Sequence, residues 1–125
     1  MTKEAALQFW FDSLGITAFQ NDALPSGDLA PSYPYMTYEM ITGSWDEPIP
    51  LSINLWYRST SWLAANAMAR HIGEQISRGG TIIPCESGAI YITRGNPFAR
   101  SARDDADDQV KRKILTIMVE YLTEE

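Results

Sequence analysis

The residue types that could do chemistry are scarce in this chain. It holds one histidine, His71, and one cysteine, Cys85, and a nucleophile–base pair made from them would have to join two separate elements. His71 stands beside Arg70 and near Glu74 in a stretch of helical periodicity, where it reads as a partly exposed helix residue. The run Ile83-Pro84-Cys85-Glu86 carries no activated-thiol motif and reads as a buried or strand-end cysteine. One histidine and one cysteine cannot fill a structural zinc site. Gly79-Gly80 and Gly95-Asn96-Pro97 match neither a P-loop nor a dinucleotide fingerprint and read as turns. Glu39, Glu47 and Glu86 lie in separate segments, so no carboxylate pair stands at acid–base spacing. The expectation is a protein with no catalytic residues, no cofactor and no metal.

Two clusters carry charge instead. Asp104, Asp105, Asp107 and Asp108 flank Ala106, but the run lacks the glycine and closing glutamate of an EF-hand loop. It reads as a solvated acidic loop. In a ring-shaped assembly it is a candidate to line a channel or a rim, where negative charge would repel a DNA backbone. Just before it, Arg94, Arg100 and Arg103 bracket Phe98. Basic residues interleaved with an aromatic can grip single-stranded nucleic acid. With the aspartates adjacent, an intersubunit ion-pair network is the expected use. Residues 95–108 show no period and few core residues, and long loops in small domains tend to be functional. Phe98 is then a candidate anchor on a neighbouring subunit, with packing onto its own core as the alternative. Trp45, flanked by Gly43, Ser44, Asp46 and Glu47, is a second candidate interface aromatic, at a hairpin tip. Trp62 reads as core.

The elements that must position these residues fit within one domain over residues 1–125. A chain of 125 residues that is 45% apolar has the length and composition for a single core. Its net charge of −6 argues against a sequence-independent nucleic-acid binder, which needs a basic face. A lone cysteine excludes an internal disulfide and fits a reducing compartment. No apolar run reaches the length of a membrane span. The early apolar residues are interrupted by Gln8 and Asp12, so no signal peptide is expected. Synthesis and use in the cytoplasm, with exit only by lysis, is the expectation.

Along the chain, Leu7, Trp10, Phe11 and Leu14 recur at helical spacing over residues 3–14, with Thr2 as N-cap and Gly15 as a left-handed cap. A weak strand over 16–21 runs into a loop marked by Pro25, Gly27, Pro31 and Pro34. Residues 35–42 and 51–58 alternate as strands and form an antiparallel hairpin, with Leu51, Ile53, Leu55 and Tyr57 on one face. Ser59, Thr60 and Ser61 offer caps for a helix running to about residue 77, with Leu63/Ala64, Ala67/Met68, Ile72 and Ile76 as its apolar face. Short strands follow at 81–85 and 89–94. The closing segment 111–122 carries Leu115, Ile117, Val119 and Tyr121 in strict alternation. The predicted class is α+β: a mainly antiparallel sheet with two helices packed on one face, in the order α-β-β-β-α-β-β-β.

This layout resembles the tail terminator proteins of long-tailed bacteriophages, the lambda-type family of small α+β ring subunits. The resemblance rests on the N-terminal helix, the strand Ser52-Ile53-Asn54-Leu55-Trp56-Tyr57-Arg58 and the helix beginning near Ser61. It continues through the Gly79-Gly80 turn, the stretch Ala89-Ile90-Tyr91-Ile92-Thr93-Arg94-Gly95, and the closing Met118-Val119-Glu120-Tyr121-Leu122. It implies a structural virion subunit, assembled in the host bacterial cytoplasm and located at the neck end of the tail. There it would form a homo-oligomeric ring, expected to be a hexamer, that caps the tail tube and ends its polymerisation. Its implied partners are copies of itself, the tail tube protein and a head-completion or connector protein, with DNA only as passing cargo and no membrane. The family has no catalytic residues to carry over. Another neck, head–tail connector or tail tube component is the alternative of the same class. A small-ligand-binding or hydrolytic α+β enzyme is the alternative of another class, and it would need a pocket with converging polar groups.

Overall fold

Alternation along two long strands builds the centre of the sheet. In the computed structural model, which describes residues 1–45, 47–103 and 106–124, β3 (Ile49–Arg58) and β6 (Val110–Thr123) pair antiparallel with Leu51 opposite Ile117 and Ile53 opposite Leu115. Around them stand β1 (Ala18–Gln20), β2 (Tyr35–Tyr38), β4 (Thr81–Cys85) and β5 (Gly88–Arg103). The six strands run in the order β1-β2-β3-β6-β5-β4. Only β1 and β2 are parallel; the other ladders are antiparallel.

Two helices cover one face of this sheet. The first, α1 (Lys3–Asp12), starts where Thr2 Oγ1 accepts the Ala5 N–H at 3.1 Å, the cap expected from the sequence. It lies over β4 and β5, while α2 (Leu63–Ile76) lies over β3, β5 and β6. Leu7, Phe11 and Leu14 join Ala69, Ile72 and Ile76 in one core with Met36, Leu51, Leu55, Ile90, Ile117 and Tyr121 from the strands. Phe11 stacks on Tyr38 with centroids 4.0 Å apart. The fold is α+β, with two helices and a mostly antiparallel sheet among the described residues.

Three differences from the sequence reading bear on the site, besides a shorter β2 that ends at Tyr38 and a Trp62 that is half-buried and not core. Two 3-10 turns, Asn21–Ala23 and Gly27–Leu29, interrupt what was read as loop between the first two strands. The buried face of α2 is Ala65, Ala69, Ile72, Gly73 and Ile76, whereas Leu63 is 78% exposed and Ala64 and Ala67 face solvent. Small side chains occupy this face because they let the helix axis approach the strands closely. The third difference is the largest. Residues 95–103 are not an aperiodic loop, because β5 continues to Arg103 and pairs antiparallel with β6.

A bulge hides that continuity. Arg94 is opposite Ile117 and Ala99 is opposite Leu115, so four residues of β5 face the single Thr116 of β6. The extra residues are pushed out of the ladder. Gly95 sits where a Cβ would come within 2.8 Å of both Cγ2 and the carbonyl oxygen of Thr116. Only glycine permits that approach.

Candidate functional site

The bulge shapes the first of two candidate surfaces. Its last residue, Phe98, swings onto the helix side of the sheet and packs, half-buried, against the core. The ring lies over Gly73 of α2, where a Cβ would be 3.2 Å from Phe98 Cε2. Between α2 and the bulge runs a groove of about 410 Å³ with Ala69, Gly73 and Phe98 among its lining residues. Arg70, Arg94 and Lys113 line it as well, against the single carboxylate of Glu74. Lys113 Nζ donates to Ser101 Oγ at 3.1 Å and lies 5.9 Å from the Trp62 ring centroid, with Lys111 Nζ at 5.8 Å. Trp62 is therefore half-buried beneath two ammonium groups. On an acidic chain, this groove concentrates positive charge.

The second surface lies at the far end of β6. Here the segment between β2 and β3 is held at three points. Tyr121 Oη donates to the Ile41 carbonyl at 2.5 Å, Lys3 Nζ donates to the Gly43 carbonyl at 2.8 Å, and the Trp45 N–H donates to the Tyr121 carbonyl at 2.8 Å. Tyr121 is buried, and its phenol is pushed well above the ordinary tyrosine range, first by desolvation and then by the nearby Glu4 charge. The pinned segment presents Ile41 and Trp45 to solvent, Trp45 with 64% of its surface exposed. Trp45 has φ of 46°, a left-handed conformation that costs a non-glycine residue about 1 kcal/mol and persists only when its surroundings enforce it.

The structure separates the three arginines singled out in the sequence. Arg94 and Arg103 pair with Ile117 and Lys111, while Arg100 pairs with Ile114, so alternation puts Arg100 on the opposite sheet face from the other two. Among the described residues none of the three has a carboxylate at ion-pair distance. Asp107 serves its own chain: its Oδ2 lies 2.6 Å from Arg58 Nη1 and its Oδ1 accepts the Gln109 N–H at 3.0 Å. The Gln109 hydrogen bond, followed by the Arg58 contact, holds its carboxyl below the usual aspartate range. The exposed Asp108 accepts from Lys111 Nζ through its carbonyl. Asp104 and Asp105 lie outside the described residues.

The remaining reactive groups stay apart. His71 is exposed on α2, and the thiol of half-buried Cys85 is pushed up chiefly by desolvation. Among the described residues no group of three or more His, Cys, Asp and Glu gathers as a metal would require. No described helix is long and apolar enough to cross a membrane. The open sheet face carries a row in which Tyr35 stacks on Trp56 at 6.1 Å and Arg112 lies 5.4 Å from the same indole. Sequence reasoning missed this row and the Arg70–Lys113 side of the groove, because both depend on cross-strand register. No protein-family model, curated protein or solved structure shows a significant match to the chain.

Proposed function

We propose that this protein is a structural subunit that assembles with copies of itself into a ring, and that the ring caps the tail tube of a long-tailed phage. The observation that carries the assembly part is Trp45. An exposed tryptophan on a segment fastened to the core by three hydrogen bonds is a preorganised anchor, because little conformational freedom remains to be lost on docking. A loop selected only for its own stability would have no need to hold an indole in solvent at positive φ.

The ring and its place on the tail come from the resemblance in sequence pattern. The tail tube protein and a head-joining protein are accordingly the further partners proposed, and the role is non-catalytic. The test is to add the purified protein to tail tube subunits as they polymerise. Tubes should stop growing and carry a ring at one end. Unrestricted growth with bare ends would contradict the tail-cap assignment.

A further inference from the structure

Resting on that self-assembly, we infer that Trp45 of one copy seats in the Phe98 groove of the next, beneath Arg70 and Arg94. The two surfaces are complementary in kind. The groove offers an aromatic ring and small apolar side chains on its floor, with three cations against one carboxylate. The Trp45 end offers an exposed indole, with exposed Glu47 two residues on. Glu4 and Glu86 stand beside Thr42 of the same pinned segment, but Lys3 lies among them and the Met1 ammonium is 3.9 Å from Glu86. Glu47 is therefore the carboxylate this end offers. Trp45 would bring aromatic area to Phe98 and a π face to the guanidinium groups, and Glu47 would meet the cations.

The two surfaces cannot meet within one molecule. Trp45 is bonded to Tyr121, whereas the groove includes Lys113 on the same strand, and that length of strand spans about 25 Å. A knob at one end and a socket at the other make a heterologous contact, the type that propagates from copy to copy and closes into a ring when the rotation permits. The excess of cations in the socket of a chain with net charge −6 favours a partner that brings a carboxylate, and exposed Glu47 beside Trp45 of a second copy supplies one.

Two variants test this by complementation. Trp45→Ala removes the knob and leaves the socket; Arg70→Glu with Arg94→Glu spoils the socket and leaves the knob. All three side chains are exposed, so both variants should melt close to wild type. If the charge reversal unfolds the chain, Arg70→Gln with Arg94→Gln takes its place. Each variant alone should self-associate roughly 100-fold more weakly than wild type. Mixed in equal amounts, they should form a 1:1 complex of twice the 14.0 kDa chain mass and nothing larger, because only one intact knob meets one intact socket. Wild-type rings alongside unaffected assembly of either variant, or a mixture that stays monomeric, would overturn the docking geometry and leave ring formation standing. A wild-type monomer at every concentration would overturn ring formation itself.

Discussion

The Tyr121 hydroxyl donates to the Ile41 carbonyl at 2.5 Å, and through that bond the sheet core sets the position of an exposed loop. The same residue accepts from the Trp45 N–H, so one tyrosine fixes both ends of the segment that displays the indole. Tyr121→Phe should therefore have two effects. It should cost about 1 kcal/mol of stability at neutral pH, the ordinary contribution of one hydrogen bond, and it should weaken self-association by loosening the knob. The raised phenol also gives a sign for alkaline pH. Stability resting on the neutral phenol is complete below about pH 10 and is lost as pH rises toward the folded value. Thermal melts of wild type between pH 8 and 11 should fall more steeply than those of Tyr121→Phe.

At the opposite end of β6 the pH dependence has the reverse sign. Asp107 is bonded as a carboxylate to Arg58 and to the Gln109 amide, and its pKa is lowered. Its contribution is present above the unfolded aspartate value and is lost as pH falls through the folded one. Asp107→Asn should be less stable than wild type at pH 7, and the gap should close below about pH 4. A constant gap down to pH 2 would show that the carboxylate charge is not what holds the turn.

Phe98 and Trp45 should separate in their effects on stability. Phe98 packs on the core of its own chain over Gly73, so Phe98→Ala should destabilise by about 1–3 kcal/mol, less than a fully buried phenylalanine. Trp45→Ala keeps its backbone bond to Tyr121 and removes mostly exposed area, so it should change stability by less than about 0.5 kcal/mol. Chemical denaturation of both variants checks this directly. A larger loss in Trp45→Ala than in Phe98→Ala would mean that the indole supports the fold.

Much of the sheet was legible because strand alternation reports burial directly. Leu51, Ile53 and Leu55 are all fully buried, as their spacing requires, and Thr2 caps α1 as its position suggests. The N-terminal half of the second helix hides its buried face because Leu63 outweighs alanine in hydrophobicity, although Met68 does pack against the core. Close helix–sheet approach instead selects Ala65, Ala69 and Gly73. Residues 95–103 were misread because Gly95-Asn96-Pro97 is local turn chemistry. The strand resumes only because β6 goes on offering partners from Leu115 back to Lys111, and that information lies in another segment of the chain. The groove inherits the same opacity. Phe98 and Arg94 could be picked out as residues, but the ring's seat on Gly73 and the arrival of Arg70 and Lys113 depend on the bulge.

Self-assembly through distinct surfaces is the central claim, and native mass measures it most directly. Light scattering of the wild-type chain over a concentration series, with negative-stain imaging of the largest species, should give a closed ring, expected to hold six subunits. A monomer of 14.0 kDa at every concentration would contradict the account.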